Sequence, residues 1–152
     1  MWTTCIDIIF IILLVYIGII DIKTHTIKNR YCIAAYTIAL ISAITKGYSL
    51  GEIALYTIPL PVFLLTVGLT YERITRTKRK PDEYPYGIGG GDIKIAPAVG
   101  LFTGDLIISA LLVSFTAAAV VGLFICKERE VPLAPYFGVG CLTVFIVGML
   151  LH

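Results

Sequence analysis

The sequence predicts an all-α polytopic membrane helix bundle with six transmembrane segments, the fourth of them short, in a single membrane-embedded domain covering residues 1–152. Three observations predict it. Hydrophobic residues make up 58% of the chain and charged residues 14%, against roughly 45–50% and 25% in soluble domains. The apolar residues fall in runs of about span length, since roughly 20 residues of helix at 1.5 Å each cross a hydrocarbon core of about 30 Å. The cations gather in alternate connections, as loops sharing one side of a membrane require.

Taken in order, the apolar runs cover residues 2–20, 31–45, 53–71, 93–102, 106–126 and 131–151. The first has neither a basic leader region nor a small-residue cleavage site, so it is expected to stay as a span. Pro59 and Pro61 remove backbone donors from the third, which predicts a kink there. The fourth is too short for a full crossing and is expected to begin in the preceding glycines or to lie in a protein-lined interior. Glycines 18, 68, 122, 138, 140 and 148 suit close helix approach in lipid. The only long polar connection, residues 72–91, carries glycines and prolines and reads as a mobile loop.

Lys23, Lys28 and Arg30 follow the first run; Arg73, Arg76, Lys78, Arg79 and Lys80 follow the third; Lys127 and Arg129 follow the fifth. The alternate connections hold one cation, Lys46. With cations on the cytoplasmic side, the predicted location is the cytoplasmic (inner) membrane, multi-pass, with both termini outside the cytoplasm.

A formal charge of +2 spread over short loops gives no basic face for nucleic acid. Cys5, Cys32, Cys126 and Cys141 stand singly in apolar runs, with no CxxC pair to hold zinc or exchange thiols. His25 falls in a loop and His152 at the terminus. No metal or other cofactor is expected.

Carboxylates at membrane depth are costly, and each is a candidate for function. Asp7, Glu52 and Asp105 fall toward the outer side, whereas Asp21 and Asp92 both fall at cytoplasmic span ends. Asp7 stands 14 residues before Asp21, roughly 21 Å along a helix, too far to share a proton with it. Two adjacent carboxylates resist ionising together, so Asp21 and Asp92 are expected to hold one proton between them. One would activate water against a peptide carbonyl while the other donates a proton to it. The position of Asp21 at a helix C-terminus and of Asp92 at an N-terminus suggests the first as resting acid and the second as resting base. Gly89, Gly90 and Gly91, lacking Cβ atoms, would let a substrate backbone approach and can adopt positive φ. The structural alternative is a pair of interfacial residues, Asp92 a helix cap and Asp21 neutralised by nearby cations. Lys23 and Lys94, two residues after each acid, are expected to reach lipid phosphates.

The segment "GIGGGDIK" (residues 87–94) resembles the GxGD signature of the prepilin and preflagellin peptidases, membrane aspartic proteases that share it with presenilin-like enzymes. "DIKTHTIKNRY" (residues 21–31) resembles the same family's first motif, an Asp at a span end followed by R-x-I-P-N, with Lys28 where the family has proline. "VPLAPYFGVG" (residues 131–140) is similar to the I-P-F-G-P opening of its final helix. The resemblance implies a catalytic pair, Asp21 and Asp92, with Gly89 and Gly91 as motif glycines. It also implies a type IV pilin-like or archaellin-like precursor as substrate, its short basic leader cut from a hydrophobic helix at the cytoplasmic face. Family members with amine methylation carry a domain with paired CxxC motifs, so peptidase activity alone is expected here. Ile20 replaces the tyrosine of the presenilin-like first motif.

Asp82 and Glu83 are the candidate contacts for a basic leader, and the basic cluster at 73–80 for lipid headgroups. Two rival readings are a small proton- or cation-coupled transporter binding its ion at Asp21 and Asp92, and a non-catalytic scaffold. The transporter requires an acid path onward to the outer face.

Overall fold

The computed structural model describes residues 2–24, 26–75, 89–124 and 133–151. These residues form helices α1 (Trp2–Thr24), α2 (Asn29–Thr45), α3 (Leu50–Thr57), α4 (Pro59–Thr75), α5 (Gly90–Thr103), α6 (Ile107–Phe124) and α7 (Ala134–Leu151), with a 3-10 turn at Gly104–Leu106 before α6. No strand occurs among them.

By length and apolarity three helical stretches suffice to cross a membrane: Trp2–Thr24, Leu50–Tyr71 and Gly90–Val121. Ala134–Leu150 is a shorter apolar helix. The third stretch is folded back on itself, as packing against α7 requires. A straight rod would carry Ala110 about 27 Å beyond Asp92, 18 residues at 1.5 Å. Yet Asp92 meets the backbone of Leu133 and Ala134, and Ala110 lies against Gly140, only six residues and about 9 Å further along α7. The reversal falls at Gly104, whose φ of +53° is one that residues with a Cβ rarely adopt.

The predicted kink appears as a bend at Ile58, where Pro59 supplies no N–H. Bonds from Ile58 N–H to Ala54 O at 3.1 Å and from Val62 N–H to Ile58 O at 3.3 Å carry the chain through the bend. α1 runs one turn past residue 20, which puts Asp21 inside the helix. The loop expected at 72–91 is also shorter at both ends: residues 72–75 belong to α4, and Gly90 and Gly91 open α5.

α5 lies at the centre of the bundle. It has only 14 residues, about 21 Å of helix, and nine of them from Asp92 to Thr103 are buried. Ala35, Ala39 and Ala43 recur every fourth residue along α2 and are 0–1% exposed, so α5 can approach closely. Tyr56 O occupies the position a Cβ on Gly100 would take, so α3 and α5 touch backbone to backbone. Gly18 stands against Pro135 and Gly140 against Ser114 and Ala110, as close approach predicts. Gly138 and Gly148 meet nothing within 4 Å and face away from helix contacts, contrary to the expectation for them.

The buried stripe of α1 comprises Asp7, Phe10, Ile11, Leu14, Ile17, Gly18 and Asp21, a helical repeat with an acid at each end. Phe10 stacks on Phe102 with ring centroids 4.4 Å apart. At the Asp7 end, Lys46 Nζ lies 3.0 Å from Asp7 Oδ2, Ser42 donates to Asp7 Oδ1 at 2.5 Å, and the ammonium sits 5.2 Å from the Phe102 ring centre. Tyr56 donates to Asp105 at 2.5 Å, and Ser49 and Glu52 form a capping box on α3. Burial, then the nearby carboxylates of Asp105, Glu52 and Asp7, raises the Tyr48 phenol above its ordinary range.

Candidate active site

The other end of the bundle holds Asp21 and Asp92. Asp21 lies in the last turn of α1 and is 6% exposed; Asp92 lies in the first turn of α5 and is 5% exposed. The charge of Asp21 acts on the Asp92 carboxylate. The chain thus brings together two acids 71 positions apart in sequence, each on the buried face of its own helix.

Asp92 also accepts from the backbone N–H groups of Leu133 and Ala134. These are among the donors that a helix start leaves without intrahelical partners. Asp92 Oδ1 is buried and has no hydrogen-bond partner among the described residues. The arrangement offers one carboxylate oriented by two backbone donors, one acceptor oxygen aimed into the interior, and a second carboxyl group within electrostatic reach. Such a pair can hold a single proton and both accept and donate one during attack on a carbonyl.

The glycine run serves packing more than backbone handedness. Gly89 has φ −61° and ψ 135°, and among the described glycines only Gly47 and Gly104 have positive φ, so positive φ is not what the run supplies. A Cβ on Gly89 would lie 3.1 Å from Asp92 Oδ2, and one on Gly91 3.0–3.1 Å from three Ile27 side-chain carbons. A Cβ on Gly90 would meet nothing within 4 Å.

Lys94, which was expected to reach lipid phosphates, donates from its Nζ to Asn29 Oδ1 at 3.0 Å, across from α5 to α2. The α7 donors were likewise not foreseen, though Pro132 and Pro135 marked a helix start there. Asp82 and Glu83, His25, and the loop cations from Arg76 to Lys80 lie outside the described residues. A surface depression of about 550 Å³ on α6, lined by Leu112, Val113, Thr116, Ala117, Val120 and Val121, shares no residue with the acids. Among the described residues no group of three or more His, Cys, Asp or Glu side chains could hold a metal ion.

Helices long and apolar enough to cross a membrane fit a membrane protein, and the sequence matches a known family of proteases. The pattern of the type IV leader peptidase family matches residues 8–126, so the chain belongs to that family and is a protease. The match takes in Asp21, the glycine run and Asp92, and stops short of α7. No curated protein and no solved structure matches the chain.

Proposed function

We propose that the protein is an aspartic endopeptidase of the cytoplasmic membrane that removes the short basic leader from type IV pilin-like or archaellin-like precursors. Asp21 and Asp92 are its catalytic pair. The observation that carries this reading is the burial of both acids at one end of the bundle, close enough for one to feel the other's charge. In the proposed mechanism Asp92, held by the α7 donors, takes a proton from water as the water attacks the scissile carbonyl. Asp21 gives its proton to the carbonyl oxygen; as the C–N bond breaks, Asp92 passes its proton to the leaving amine of the trimmed helix, a hydroxyl of the intermediate returns a proton to Asp21, and the leader departs with a new carboxyl end.

The proposed topology has six crossings, with both termini outside the cytoplasm and the acids facing it. The cation-rich connections after α1 and α4 support that orientation. Asp82 and Glu83 stand as the proposed contacts for the basic leader.

The transporter reading has less support. Asp7 is engaged by Lys46 and Ser42, and Phe10, Leu14 and Ile17, each 0% exposed, fill the stripe between Asp7 and Asp21. No acid path joins the two ends among the described residues. The test is incubation of the purified protein in lipid nanodiscs with a precursor that carries a basic leader on a hydrophobic helix. Mass spectrometry is expected to find the free leader and the trimmed helix. An intact precursor, with proton flux in vesicles of the same protein, would replace the peptidase by the transporter.

A further inference from the structure

We propose that Lys94 and Asn29 are positioning residues, which together with Ile27 and Gly91 latch the α1–α2 connection onto the turn of α5 that carries Asp92. The catalytic consequence rests on the peptidase reading; the latch itself rests on geometry alone.

Residues two apart on a helix do not share a face, so Lys94 points away from the acid it follows. Its Nζ donates to Asn29 Oδ1 at 3.0 Å, a bond joining residues 65 apart in sequence. Its charge also reaches Cys32, nearly one turn further along α2. Asn29 is the first residue of α2, and Lys28 before it makes no side-chain cap bond. The start of α2 is therefore held by tertiary contacts and not by a cap of its own. Ile27 supplies the second contact. In the connection, where Thr24, Thr26, Lys28 and Asn29 are exposed, Ile27 is 8% exposed and packs on Gly91, the residue before Asp92.

Asp92 is then fixed from three directions. Ile27 bears on the backbone before it, Asn29 holds the side chain two positions after it, and the α7 donors hold its carboxylate. A hydrogen bond to an ammonium at an exposed site contributes little to global stability, but the placement of a reacting carboxylate is sensitive to shifts of about 1 Å. The latch is accordingly expected to act on the rate and not on folding.

The test uses the full chain in nanodiscs, with Cys5, Cys32, Cys126 and Cys141 replaced by alanine, and has two arms. The first needs no activity. A Cβ on Gly91 lies 3.1 Å from the Ile27 Cβ, near the range of disulfide-bonded cysteines, so the pair Ile27→Cys and Gly91→Cys is expected to oxidise readily. Lys94→Gln or Asn29→Ala in that background should slow the crosslinking about threefold, the loss of one hydrogen bond, and Lys94→Arg should restore it. An unchanged crosslinking rate would overturn the latch. The second arm measures cleavage in the chain without the added cysteines. Lys94→Gln and Asn29→Ala are each expected to lower kcat about tenfold with KM kept, the double variant no further, and Asn29→Asp to retain activity. Additive losses that follow the anionic lipid content would make Lys94 a lipid anchor and overturn the proposal. A wild type that cleaves nothing would sink the peptidase reading alone, because the crosslinking arm still decides the latch.

Discussion

Three adjacent glycines differ in what surrounds them, and that difference makes a graded prediction. Gly90→Ala should cleave like wild type, since its Cβ meets nothing within 4 Å. Gly89→Ala would press on the Asp92 carboxylate oxygen, and Gly91→Ala on Ile27. Each should lower cleavage about tenfold or more, because small displacements of a reacting group are costly. Steady-state kinetics on the three variants checks the order; a Gly90→Ala protein as impaired as the other two would contradict it. At this scale the acids were legible in the sequence, because a carboxylate next to an apolar run stands out. The partners of those acids were not. Lys94 has the same local pattern whether it reaches lipid or Asn29, and only the packing of α2 on α5 decides between them. Backbone donors such as those of Leu133 and Ala134 leave no side-chain signal at all.

Among the elements, α7 makes the sharpest case, because its start holds Asp92 by backbone N–H groups, which only a substitution to proline removes. Proline fits the first position of a helix, where the N–H has no intrahelical partner. Ala134→Pro should therefore leave α7 folded while removing one donor to Asp92, and lower cleavage about tenfold with thermal unfolding unchanged. Helix contacts give a separate prediction. Gly18→Ala would place a Cβ 2.8 Å from Pro135 Cα and Gly140→Ala one against Ser114 Oγ, and overpacking of this kind costs about 1–3 kcal/mol. Gly138→Ala and Gly148→Ala face open space and should leave the unfolding temperature in detergent unchanged. All four glycines look alike in the sequence, since the apolar residues around them run round the whole helix and mark no face. The helices and the bend before Pro59 were readable from apolar run length and proline chemistry. The central place of α5 was foreshadowed only by its shortness, since a helix too short to cross must be sheltered by others.

The molecule as a whole has two polar ends joined by an apolar core, and the account assigns them different work. The Asp7–Lys46–Ser42 cluster ties α1 to α2 far from Asp21 and Asp92. Lys46→Met would leave Asp7 buried without its cation. That should cost about 1–3 kcal/mol, less than the loss of a fully buried pair because the Lys46 side chain is 28% exposed. The protein that remains folded should cleave at the wild-type kcat, and a lost kcat at full stability would join the two ends functionally. The central claim is that Asp21 and Asp92 act as one unit in peptide hydrolysis. It is tested most directly by the leader released from a pilin-like precursor, quantified by mass, for wild type, Asp21→Asn, Asp92→Asn and the double variant. The account predicts that each single variant falls to background and the double falls no further; cleavage that survives either single substitution would contradict it.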